Sequence, residues 1–232
     1  MNLRIPRIIC LYLSLLFSGG IVGAESLTEA TKEFRNQHGQ RFKASVVSVE
    51  DDMVTLRRSG DNLIRTPISS LRESDQQFVN DWHRAYLIEN HLRVTVSDRE
   101  RSQSMNDDAF RDGQTILHGY QILLQNRGSV RIQAVPIRYR VYYYVDRGEG
   151  VRELLYEEFT DKIEEVNPRS RFLYSSNSVL IREYSPSEGT LMVGHEGPEV
   201  RDEVAGIVLH FEPGDFRLER IIHPESLANK ID

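Results

Sequence analysis

The 232-residue chain carries 29 lysines and arginines against 35 aspartates and glutamates, a formal net charge of −6, and 39% of its residues are hydrophobic. That length holds one large or two small domains at about 100–150 residues each. The acidic balance argues against nucleic acid and against anionic membrane surfaces as partners, because both are held by lysine- and arginine-rich patches.

The first 24 residues do not read as part of a fold. Arg4 and Arg7 make a positive start, Ile8 to Phe17 is an apolar run, and Val22-Gly23-Ala24 puts small residues where a signal peptidase cuts. The pattern predicts export to the periplasm or the exterior, with no membrane span after cleavage. The alternative is an uncleaved N-terminal anchor, but Ser18, Gly19 and Gly20 interrupt the run, which is short beside the ~20 residues a span needs. Cleavage removes Arg4 and Arg7, taking the 29 bases to 27 against 35 acids, a formal charge of −8. It also removes Cys10, the only cysteine, so the mature chain has no disulfide and must be held by packed cores.

Residues 25–33 are small and polar and read as a linker. Beyond them Phe42, Ala44 and Val46 alternate with polar residues, Met53 to Arg57 and Leu63 to Thr66 form two further short strands, and Glu50-Asp51-Asp52 and Ser59-Gly60-Asp61-Asn62 are turns. Leu71, Asp75, Phe78, Val79 and Trp82 then recur at intervals of three and four, which predicts an amphipathic helix with Asp75 complementing its dipole. The run Phe42-x-Ala44-x-Val46, Val54-x-Leu56, Gly60, Pro67-Ile68-x-x-Leu71, Asp75 and Phe78-Val79 resembles the Sla-one homology domain. The resemblance covers about residues 31–85 and implies an SH3-like small barrel. In an endocytic adaptor that module binds Asn-Pro-Phe-x-Asp peptides, and related copies recur in exported bacterial proteins, mostly without a known ligand. One position departs from the family, whose usual serine after the leucine equivalent to Leu71 is here Arg72. Arginine cannot accept the orphan amide hydrogens, so Ser70 or Ser74 is expected to cap the helix instead, or the helix starts less sharply.

After a linker at 87–91, Leu92 to Val96 opens a second domain. Ser97 to Asp112 is highly charged, with Asp107-Asp108 and Asp112-Gly113 as turn material, and Tyr120 to Leu124 is the next strand. The strongest period of two in the chain follows. Val135, Ile137, Tyr139, Val141, Tyr143 and Val145 are predicted to face a core, with Arg138, Arg140, Tyr142 and Tyr144 on the wet face of an antiparallel sheet. Residues 151–166 fit either a helix, through Leu155, Phe159, Ile163 and Val166, or a strand pair; the β neighbours favour strands. Phe172 to Tyr174, Val179 to Ile181, Leu191 to Val193, Ile207 to Phe211 and Phe216 to Ile221 read as strands. Pro213-Gly214 suits the two central positions of a type II turn, and 227–232 is a tail.

The expected fold class is therefore all-β: a small SH3-like barrel with one closing helix at 34–86, then an antiparallel, immunoglobulin-like β-sandwich at 92–226. The first module is nearly neutral, with nine bases and eight acids over 31–86, so the acidity lies in the second.

No chemistry stands out. The histidines at 38, 83, 91, 118, 195, 210 and 223 show no metal-ligand spacing, Gly194-His195-Glu196 reads as a turn, and neither a nucleophile elbow nor a glycine-rich phosphate loop is present. Neighbouring acids such as Glu157-Glu158 point opposite ways, and the Asp107–Gly113 region lacks calcium-loop spacing. The reading is an exported non-enzymatic binding or scaffolding protein with no catalytic residue, metal or cofactor, and with a protein or peptide ligand. Lys43, Arg57 and Arg65 share the polar face of the small barrel and are its candidate ligand-binding residues. Arg138, Arg140, Tyr142 and Tyr144 are a candidate interface, which also admits a carbohydrate-binding module as the alternative. A cryptic hydrolase is the second alternative.

Overall fold

The structure, a computed structural model, describes residue 27 and residues 31–104, 111–147, 151–186, 200–218 and 221–231. The expected signal segment 1–24, Asp107-Asp108, the expected strand Leu191 to Val193 and Gly194-His195-Glu196 lie outside them. Among the described residues no helix is long and apolar enough to cross a membrane.

The chain is all-β, with strands in three antiparallel sheets. The first sheet is a meander of β1 (Thr31–Arg35), β2 (Arg41–Glu50), β3 (Met53–Arg58) and β4 (Leu63–Pro67), paired in chain order. A bridge between Asn36 and Leu71 ties the end of β1 to the segment after β4. The alternation seen in the sequence sets its inner face: Phe34, Ala44, Val46, Val54 and Leu56 are buried and meet Val79, Trp82 and Ala85 of helix α1 (Glu73–His91). Neither candidate serine caps that helix. Arg72 occupies the N-cap with no side-chain bond, and Ser70 donates to the Pro67 carbonyl. Buried Asp75 instead accepts the Arg35 backbone N–H at 2.7 Å and pairs with Lys32 at 3.2 Å, so the first turn is fixed to β1 rather than capped locally.

Described parts of two expected linkers belong to the fold. Leu27, inside the supposed linker 25–33, is buried in the first core, and its carbonyl accepts the Trp82 Nε1–H at 2.9 Å. Residues 87–91 are the last turn of α1, which runs without a break into β5 (Leu92–Ser104). Leu87 and Ile88 are apolar because they enter the second core.

That core lies between the other two sheets. One has the order β11 (Val200–Arg201), β10 (Val179–Pro186), β6 (Arg111–Asn126), β5, with β9 (Arg171–Ser175) also paired to β6. The other has the order β13 (Ile221–His223), β12 (Glu203–Phe211), β7 (Val135–Asp146), β8 (Arg152–Ile163). Tyr120, Ile122 and Leu124 of β6 meet Val135, Ile137, Tyr139 and Val141 of β7 and Ile207, Leu209 and Phe211 of β12 in one cluster. The expected inward set of β7 faces that core: Ile137, Tyr139 and Val141 have no exposure, Val135 and Val145 are buried, and Tyr143 is half-buried against the cluster.

Several expectations change. The described part of the charged stretch after Ser97 is strand, in β5 and the start of β6, and Asp112-Gly113, expected as turn, lies inside β6. Residues 152–163 form one continuous strand paired with β7 over twelve positions, not a strand pair. Phe216 to Leu218 is loop, and the last strand begins at Ile221. The tight turn there is bonded from Phe216 N–H to the Pro213 carbonyl, which puts Gly214 and Asp215, not Pro213-Gly214, at its centre. Gly214 has φ +62°, and a Cβ there would overlap the Asp81 side chain on α1, so this loop of the second unit lies tightly on the helix. The supposed tail also packs: Leu227 is fully buried and Ile231 lies on the outer face of the β12–β7 sheet.

Gly206 sits at the bulge of β12 against β7 with φ +147°. A Cβ there would meet the His223 carbonyl, Leu227 and Pro224. Gly206→Ala should therefore cost about 1–3 kcal/mol in a denaturant titration. The same change at Gly39, where nothing lies within 4 Å of the added carbon, meets only its own φ preference.

Candidate functional site

The first sheet carries a groove of about 490 Å³ at the end that holds the β1–β2 turn. Asn36 shapes its rim, since its Oδ1 accepts the backbone N–H groups of His38 at 3.0 Å and Gln40 at 2.9 Å. Phe42, Ile64 and Leu71 supply apolar wall, and Gln37, Arg41 and Arg58 supply donors. Arg58 follows Val54 and Leu56 on the inward parity of β3, but at the strand end it reaches past the core. Its guanidinium lies over the Phe42 ring, 5.3 Å from the centroid. Arg41 pairs with Glu33 at 3.5 Å, whereas Arg58 meets no carboxylate among the described residues. An uncompensated guanidinium held on an aromatic face beside apolar wall can receive a carboxylate that has an apolar neighbour.

Lys43, Arg57 and Arg65 lie on the opposite, outer face, all exposed. Register makes them diagonal neighbours: Ser45 faces Arg57, and Thr55 faces Arg65. Lys43 stands opposite Glu33, and Arg65 pairs with Glu50 at 3.4 Å. The three bases are brought onto one face, part of their charge is already met by acids, and no concavity includes them among the cavities described. Sequence reasoning placed the site on this polar face and missed Arg41, Phe42 and Arg58. The readable signal was Arg58, a base in phase with Val54 and Leu56.

Arg138, Arg140, Tyr142 and Tyr144 are on the outer face of β7, but that face is occupied. Tyr142, expected in solvent, is only 8% exposed because Ala205, Val208 and Leu227 cover it. Tyr144 packs on the same cluster with Lys230 over its ring at 5.2 Å. Arg140 hydrogen-bonds Glu158 at 2.6 Å, which holds that carboxyl below the usual carboxylate range, and it also lies over Tyr156. Arg138 reaches Glu212 at 3.3 Å. The exposed aromatic here is Tyr156, on β8.

Among the described residues no three histidine, cysteine, aspartate or glutamate side chains gather at a spacing that would hold a metal ion. No family profile matches the chain. No curated protein matches it either. Matches among solved structures include the X-ray structure of Northeast Structural Genomics Consortium target SoR45, 16% identical, covering 60% of this chain and 91% of that one, with a TM-score of 0.23. A likeness at that score carries no argument about fold or function.

Proposed function

We propose that the chain is an exported, non-enzymatic binding protein whose first unit, an SH3-like barrel, takes an acidic peptide segment into the groove between Phe42 and Arg58. The observation that carries this reading is the Arg58 guanidinium, seated on an aromatic ring at a groove and without a carboxylate partner among the described residues. The resemblance of residues 31–85 to the Sla-one homology domain and the export pattern of residues 1–24 support it. The second unit then acts as an immunoglobulin-like sandwich that carries the barrel. The tyrosine–arginine face of β7 is less suited to a sugar, since Tyr142 lies under the chain's own C-terminal residues.

Titrating the mature chain with a library of acidic peptides should give binding that weakens with salt, because the contact is charge-assisted and exposed. Arg58→Ala should reduce affinity by about tenfold, equivalent to ~1.4 kcal/mol. A Lys43→Ala, Arg57→Ala double substitution should change it little. Binding lost in the double variant and kept in Arg58→Ala would move the site to the outer face, and no binding to any peptide would remove the reading.

A further inference from the structure

The second unit has a cavity of about 650 Å³ between the two sheets, at the margin of their shared core. Ile116 and Ile181 line it from one sheet, Val204 and Ala205 from the other, with Tyr120 and Pro224 completing its apolar wall. Five carboxylates stand around it. Three are matched by arginines: Glu183 by Arg201 at 3.1 Å, Asp202 by Arg182 at 3.1 Å, and Glu203 by Arg152 at 2.7 Å. The other two, Asp98 and Glu100 on β5, have only imidazoles within ion-pair distance among the described residues.

His118 stands between them. It lies on β6 directly opposite Glu100 and is 6% exposed. Its Nε2 is 3.3 Å from an Asp98 oxygen and its Nδ1 is 3.5 Å from a Glu100 oxygen, while His223 Nε2 is 3.8 Å from the other Asp98 oxygen. A neutral imidazole has one N–H, so it can serve only one of two flanking carboxylates, and its second nitrogen then presents a lone pair to the other. With the ring neutral, either tautomer leaves one of these carboxylates facing a lone pair, and a donor entering the cavity would serve that carboxylate.

We propose that this cavity binds an organic cation with an aliphatic stem, a primary ammonium or guanidinium group that donates to Asp98 and Glu100 while the stem lies on Ile116, Ile181 and Val204. The apolar wall favours a stem over a bare ion, and the ligating side chains do not gather at metal-binding distance. The shared chemistry has two sources, a free alkylamine or the lysine or arginine side chain of a polypeptide. The site is separate from the Phe42–Arg58 groove and has the opposite charge preference.

The test follows the His118 and His223 ring proton resonances of the full mature chain during titration with 1,5-diaminopentane, with a capped peptide holding one central lysine, and with pentan-1-ol. Saturable shifts with either cation and none with the alcohol are expected, and whichever cation acts identifies the source. Asp98→Asn with Glu100→Gln should weaken the binding by at least about tenfold. Both side chains are more than half exposed, so the substitutions spare the core. On the unmodified chain, affinity should fall as salt rises. No shift up to about 10 mM, a millimolar-range ceiling for specific binding, would overturn the proposal. So would equal binding of the alcohol, or a double variant that binds as before. Arg58→Ala should leave this titration unchanged, which keeps it independent of the peptide groove.

Discussion

Ile137→Ala should lower the free energy of unfolding by about 2–5 kcal/mol. Ile137 has no exposed surface and lies in the cluster that joins the two sheets of the second unit. On β7 it faces Asp161 of β8 on one side and Phe211 of β12 on the other, so both neighbouring strands hold it in place. The truncation removes three carbons from a site whose walls are sheet backbone on two sides, and such walls collapse poorly onto a void. Arg138→Ala, one residue away on the outer face, removes ion pairs to Glu158 at 3.9 Å and Glu212 at 3.3 Å from a side chain 40% exposed, and should cost less than about 1 kcal/mol. Urea titration of the two variants checks the contrast. Equal midpoints, or a larger loss for Arg138→Ala, would mean that β7 presents its other face to the core.

That parity was legible because β7 is flanked on both edges and has one dry face, so nearly every second residue had to be apolar. Where that condition fails, so does the reading. Residues 152–163 border the sheet, and Leu155, Phe159 and Ile163 are spaced by four. Four is an even number as well as nearly one helical turn, so the same three residues share a helix face and a strand face, and the pattern could not separate the two. Asp112-Gly113 looked like turn material because the apolar alternation of β5 stops at Val96. Charged residues such as Asp98, Arg99 and Glu100 follow it on β5, although Tyr120 and His118, opposite Asp98 and Glu100 on β6, are buried. The helix was legible through its contacts with the first sheet. Its last turn was taken for a linker because Leu87 and Ile88 change partner and point into a different core. The sites follow the same rule. Outer-face bases are easy to find by parity, whereas Arg58 and His118 lie in phase with buried residues and acquire their roles only through neighbours on other strands.

The change of partner along α1 leads to the second large effect. Trp82→Ala should cost about 3–5 kcal/mol and should weaken both units in a single transition. Trp82 is buried in the first core, donates its Nε1–H to the Leu27 carbonyl at 2.9 Å, and stacks on Tyr86 at 5.4 Å. The helix that carries it has 19 residues, and no break separates Val79, Trp82 and Ala85 in one core from Leu87 and Ile88 in the other. A second connection runs back from the β12–β13 loop: Phe216 lies 5.2 Å from Phe78, and Leu218 packs against both cores. A third is the Arg84 bond to Gln133 at 3.2 Å. A helix loosened in its first half loses the frame that presents Leu87 and Ile88, so the loss is transmitted rather than confined. Trp82→Phe separates packing from hydrogen bonding, since it keeps an aromatic ring and strands the Leu27 carbonyl, and should cost about 1–3 kcal/mol. Hydrogen exchange read at the amides of β2 and β7 would follow the two units separately. Equal loss of protection in both, with one calorimetric transition, is the expected result. Protection lost in β2 alone, with a second transition left at its original temperature, would show that the two cores unfold independently despite the helix they share.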